Sequence, residues 1–170
     1  MENRRQFLTF AAVTVGLAPV VAWFARPAAS ANTTMSDIEK FPVEKTDAEW
    51  RATLSREEYS VLRGHGTEQA GTSPLNKEKR KGTFVCAGCG QPLFSSDTKY
   101  ESGTGWPSFW KPLDMAVGAT VDRSFFMVRT EIHCSRCGGH LGHLFPDGPK
   151  PTGNRYCMNG DAMKFNPEKA

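Results

Sequence analysis

Apolar residues change their spacing along this 170-residue chain, and the changes divide it into stretches. From Leu8 to Ala25 they run nearly unbroken, moderated by Thr9, Thr14, Gly16 and Pro19. Asn32 to Lys45 has scattered apolar positions without a period and reads as a linker, so a folded domain is expected over residues 46–170. Trp50, Leu54, Tyr59 and Leu62 then supply apolar positions. Thr46-Asp-Ala-Glu49, with Thr46 or Asp47 as cap, reads as a helix start, and Ser55-Arg-Glu-Glu58 repeats the capping pattern, which predicts two short helices, the second ended by Gly64 and Gly66. Residues 67–81 are polar and read as a loop, with the basic cluster Lys77 to Lys81 as a solvated face. From Gly82 the pattern turns to strands. Thr83–Val85 and Leu93–Phe94 flank a turn, and Gly103 to Trp110 reads as a loop from its Gly and Pro content. Thr120 to His133 alternates most clearly: Phe126, Val128, Thr130 and Ile132 share one face, and Phe125, Met127, Arg129 and Glu131 the other. Pro146–Pro149 and Pro151–Gly153 are turns, Tyr156–Asn159 a short strand, and the tail after Phe165 is expected to be loose. The whole predicts a mainly β fold with short N-terminal helices.

Residues 1–31 read as an export signal. Arg4-Arg5-Gln6-Phe7-Leu8 resembles the twin-arginine motif of bacterial signals, and Ala29-Ser30-Ala31 fits a small-residue cleavage site. The expected destination is the bacterial periplasm or cell exterior. The alternative is an uncleaved anchor, since the apolar run approaches spanning length. Beyond the leader, 18 basic residues face 17 acidic ones, so charge offers no argument for nucleic acid or an anionic membrane as partner.

Five cysteines carry the chemistry. Four form two pairs, Cys86-Ala-Gly-Cys89 and Cys134-Ser-Arg-Cys137, each followed by Gly. Two such turns can aim four thiolates at one ion and fill a tetrahedron, leaving no position for water; that implies a structural zinc site. Two redox disulfides are the competing reading, and iron could use the same ligands. The remaining cysteine, Cys157, lies near Arg155 and downstream of His140 and His143. An unpaired thiol with Arg and His nearby is either a nucleophile or a small core residue.

Gly105-Trp-Pro-Ser-Phe109, the two cysteine pairs, His140-Leu-Gly-His-Leu-Phe145 and Arg155-Tyr-Cys-Met-Asn159 together resemble the B class of peptide methionine sulfoxide reductases, over roughly Glu44 to Phe165. The resemblance implies two antiparallel sheets in a tent-like fold, tied together by zinc away from the catalytic face. It implies reduction of the R epimer of methionine sulfoxide in oxidised proteins or peptides. Cys157 would be the attacking thiol. His143, with His140 beside it, would orient or protonate the sulfoxide oxygen, and Asn159 would hydrogen-bond in the same sub-site. Trp106 would wall the methyl group, and Arg155 with Asp147 would frame and tune Cys157. Ser108 and Phe109 complete the Trp106 loop. In many members a second, resolving cysteine precedes the Trp; here that position is Thr104. A thioredoxin-like protein or a small thiol is therefore the expected reductant, and the protein is read as a monomer. A non-enzymatic zinc-bound β module, or a cysteine hydrolase, are the alternatives from other classes.

Overall fold

The computed structural model describes residues 40–169; the leader, its cleavage site and residues 32–39 of the linker lie outside the described residues. Both predicted helices are present, α1 over Asp47–Thr53 and α2 over Arg56–Leu62. Each begins with a complete capping box. The Thr46 and Ser55 hydroxyls accept from the backbone of Glu49 and Glu58, and those carboxylates accept from the cap backbone in return. Two orphan N–H groups are thereby satisfied at each start, which lets seven-residue helices persist. Their buried face, Trp50, Val61 and Leu62, sits on the two cysteine turns: Leu62 approaches Gly88 and Gly139, and Arg63 donates to the Cys137 carbonyl at 3.1 Å. Within the linker, Val43 N–H donates to Arg136 O at 2.8 Å and Phe41 packs edge-on against His133. The end of the linker is thus docked on the second cysteine turn.

Among the described residues, nine strands form two antiparallel sheets. The smaller has β1 (Gly82–Cys86) between β2 (Pro92–Ser95) and β9 (Met163–Pro167). The larger runs β3 (Lys99–Tyr100), β4 (Ser108–Phe109), β8 (Arg155–Met158), β7 (His140–Phe145), β6 (Arg129–Cys134), β5 (Val117–Asp122). Phe84 and Phe94 of the small sheet meet Phe109 of the large one, edge-on at 4.9 Å and stacked at 4.3 Å between centroids. All three are fully buried and join the sheets.

Three expectations change here. The stretch from Thr120 to His133 is a hairpin, not one strand: β5 and β6 pair with Val121 opposite Thr130 and Asp122 opposite Arg129. The chain reverses because the Asp122 carboxylate accepts from the Ser124 N–H at 2.8 Å and Phe126 takes a positive φ of 59°. The Gly103–Trp110 loop contains β4, a two-residue strand between β3 and β8. The tail continues past Phe165: Asn166 and Pro167 pair with Thr83 and Gly82.

Candidate active site and metal centre

The four paired cysteines converge. Cys86 and Cys137 sulfurs lie 3.7 Å apart, Cys89 and Cys134 sulfurs 3.6 Å, and all four fall within 4.8 Å of one another. A tetrahedral zinc with bonds of about 2.3 Å requires sulfur separations of about 3.8 Å. The close contacts run between the two turns, and none of the cysteines forms a disulfide. This donor set could hold a zinc ion. It would link the β1–β2 turn of the small sheet to the β6–β7 turn of the large one.

Cys157 lies two strands across from that edge, on β8. One row of side chains crosses the sheet there: Ser108 is paired with Cys157, Cys157 with His143, and His143 with Glu131. Paired residues of antiparallel strands project to one side with Cβ atoms about 5 Å apart, so the pairing itself sets the thiol beside the imidazole. His140 is three residues from His143 and on a regular strand would face the other way. The step from Ile132 to His133 on β6 is matched by two residues on β7, His140 to Gly142. This bulge returns both imidazoles to one face, with ring centroids 5.3 Å apart. Gly142 permits it, since a Cβ there would stand 2.1 Å from the Cys157 carbonyl oxygen.

A cavity of about 130 Å³ opens beside the thiol, lined by Thr67, Trp106, Arg129, Gly142, His143, Phe145, Cys157 and Asn159. Four of the sequence-predicted residues therefore share one small chamber with mixed walls. Asn159 is buried with both ends of its amide engaged: Oδ1 accepts from Glu68 N–H and Nδ2 donates to Leu141 O, each at 3.1 Å. It fixes backbone around the chamber. His143 Nε2 meets Asp122 Oδ2 at 2.9 Å, and Arg129 reaches the same oxygen at 2.6 Å. His140 lies in the neighbouring cavity, its Nδ1 2.7 Å from Glu131 Oε1. Burial pushes the His140 imidazole below its usual range, opposed by Glu131. Arg155 and Asp147 form a bidentate pair at 2.8 and 2.9 Å behind the chamber, and the guanidinium lies 4.3 Å over the Phe145 ring.

Several residues of this site carried no sequence signal. Glu68, in the polar loop, is buried; its backbone holds the Trp106 indole N–H and the Asn159 amide, and its carboxylate accepts from Gly160 and Asp161 N–H. Asp122 and Arg129 were placed within a single strand, where nothing marked them as facing His143. Phe145 belonged to a quoted motif without a role.

Burial pushes the Cys157 thiol up from its ordinary value, opposed by the Thr104 hydroxyl, whose oxygen is 3.9 Å from the sulfur, and then by Arg155 and Ser108. Burial is the larger effect. Alkylation by iodoacetamide follows the thiolate, so its rate at Cys157 is expected to rise with pH with a midpoint above the ordinary cysteine range. Arg155→Met removes an opposing cation and should move that midpoint further up; a downward move would overturn the tuning role.

Comparison with known proteins decides the family. Residues 54–167 match the SelR domain. The chain belongs to the SelR domain family. Its SelR relatives include the peptide methionine sulfoxide reductase MsrB of Leptospira interrogans, 57% identical over 129 residues that cover 75% of this chain and 98% of the relative. The MsrB of Agrobacterium fabrum is 53% identical over 134 residues, 78% of this chain and 99% of the relative. That of Thiobacillus denitrificans is 54% identical over 125 residues, 73% and 95%. The SelR match contains all five cysteines and every residue of the chamber.

Proposed function

We propose that this protein is an oxidoreductase that reduces the R epimer of methionine sulfoxide, in peptides and proteins, with Cys157 as nucleophile. The observation that carries the reading is the cross-strand pairing of Cys157 with His143 beside Trp106 in a chamber sized for one side chain. The Trp106 indole offers the soft surface a methyl–sulfur group favours. The Cys157 sulfur attacks the sulfoxide sulfur while a proton reaches the sulfoxide oxygen. His143, held by Asp122 through Nε2, is placed to pass that proton. The methionine S–O bond and the transient S–S bond then break as the protonated oxygen passes to the Cys157 sulfur, so methionine is reduced by two electrons and the thiol becomes a sulfenic acid. One external thiol then condenses with the sulfenic acid to a mixed disulfide, releasing water, and a second frees Cys157. Thr104 in the resolving position and four cysteines committed to one structural zinc ion leave that work to a thioredoxin-like protein or a small thiol.

The test is turnover of the two sulfoxide epimers, each in peptide form, with dithiothreitol. Consumption of R alone is expected; no turnover of either by folded, metal-loaded protein would sink the reading. After one turnover without reductant, mapping of non-reduced peptides should find oxidised Cys157 and no internal disulfide. A stoichiometric internal disulfide would rule out the external route.

The leader supports a further part of the proposal, export by the twin-arginine route with cleavage after Ala31. Arg4→Lys with Arg5→Lys is expected to retain the protein in the cytoplasm on fractionation, and unchanged export would contradict it.

A further inference from the structure

Beside the chamber, three side chains converge on one point. His65 in the turn after α2, Glu131 in β6 and His140 at the start of β7 each place a potential ligand atom within 4.8 Å of the other two. Both imidazoles reach the same atom. Glu131 Oε1 lies 3.0 Å from His65 Nδ1 and 2.7 Å from His140 Nδ1, and the two rings are 5.2 Å apart. The cavity they border has a volume of about 410 Å³ and shares Thr67, Arg129 and His143 with the chamber of Cys157.

Each ligand is held for its own reason. His140 is 2% exposed, its Nε2 has no hydrogen-bond partner among the described residues, and Glu131 orients the ring through Nδ1. Glu131 stands in the paired row of the sheet, opposite both His143 and Thr120, and the Thr120 hydroxyl donates to its second oxygen at 3.2 Å. His65 takes a φ of 53°, a sparsely populated conformation for a residue with a Cβ. Its side chain is 63% exposed, so packing does not hold the imidazole against Glu131. The fold therefore supplies two buried or half-buried ligands and one exposed one, with open space beyond.

We propose that His65, Glu131 and His140 form a second metal site, taking a divalent transition ion of the zinc class by two imidazole nitrogens and one carboxylate oxygen. Two histidines and a carboxylate are a ligand set zinc uses in sites that keep a fourth position open. Bonds of about 2.0–2.1 Å place tetrahedral donors about 3.3–3.4 Å apart, so the two contacts need open by only roughly half an ångström to admit the ion. The fourth position is left for water or an anion in the cavity. The site is separate from the four-cysteine cluster in both residues and ligand type, and it does not depend on the reaction proposed for Cys157.

The experiment is a zinc titration of the full chain with its four-cysteine site already filled, in a Cys157→Ser background so that no thiol remains to compete. Binding is followed by calorimetry and by competition with a chromogenic chelator. One further zinc ion is expected per chain. His65→Ala, a change at an exposed side chain, should weaken that ion by more than the roughly 10–100-fold typical of losing a group behind a ligand. Absence of a further ion, or equal binding after His65→Ala, would overturn the site. Cobalt in place of the further zinc should give d–d absorption without sulfur-to-metal charge transfer, and charge-transfer bands from that ion would overturn it too.

Discussion

Replacing Cys157 by serine is expected to lower kcat/KM for the R sulfoxide by at least about 10,000-fold while leaving the fold intact, as removing a covalent nucleophile does in other enzymes. The size of the effect follows from what the sulfur does. In the proposed reaction it attacks another sulfur, takes that sulfur's oxygen and later loses the oxygen as water when an external thiol condenses with it. A serine hydroxyl, neutral throughout the accessible pH range, can do none of these. The change is nearly isosteric, and Cys157 is half-buried with one long contact to Thr104, so little packing is lost. Thermal midpoint and far-UV spectrum should match the parent protein. Retained turnover in the serine variant would transfer the chemistry to another group and undo the assignment. Loss of turnover together with loss of fold would be uninformative, so the melting curve belongs in the same measurement. Cys157→Ala, which removes the polar atom entirely, is the second variant should serine perturb the hydroxyl cluster of Ser102, Thr104 and Ser108.

What could be read from the sequence was what is local. The two capping boxes need only residues three apart, and both formed as expected at Thr46 and Ser55. The four cysteines announce themselves by spacing, because each pair makes its own turn whatever lies between. Pairing is different. Alternation through Thr120–His133 continued across the hairpin tip because Phe125, Phe126, Met127 and Val128 are all apolar, and an alternating pattern cannot say where the chain reverses. Phe126 and Val128 are in fact among the most exposed apolar residues of the described chain. The same limit hid the site's supporting residues. Asp122 meets His143 only because β5 folds back on β6, and His140 shares its face only through the bulge at Gly142. Glu68 reaches Trp106, Asn159 and Gly160 from a loop with no periodicity at all. The motifs named candidate groups, while the register of β6, β7 and β8 determines what stands beside them.

Chelation at the four-cysteine site is expected to give the largest loss of stability. Cys86 and Cys89 close the β1–β2 turn of the small sheet, and Cys134 and Cys137 close the β6–β7 turn of the large one. The ion would tie two turns far apart in the chain, and α1 and α2 are seated on both. Structural zinc contributes about 10–16 kcal/mol in peptides that have no other core. Here Phe84, Phe94 and Phe109 join the sheets independently, so the domain should survive as a weakened fold. A cost of several kcal/mol out of the ~5–15 kcal/mol typical of a whole domain is the expectation. At about 2–8 °C per kcal/mol for domains from 60 to 250 residues, the thermal midpoint should fall by roughly 10–20 °C after chelation under reducing conditions. Reconstitution with one zinc per chain should restore it. The first elements to loosen in hydrogen exchange should be the two cysteine turns and the helix residues packed on them, Trp50 and Leu62, with β7 and β8 later. Sequential loss would also separate two roles that a simple activity assay confounds. If the chelated protein keeps Cys157 chemistry at low temperature and loses it only as the helices release, the cluster acts by holding the sheets. An unchanged midpoint after chelation would show that the four sulfurs hold no structural ion.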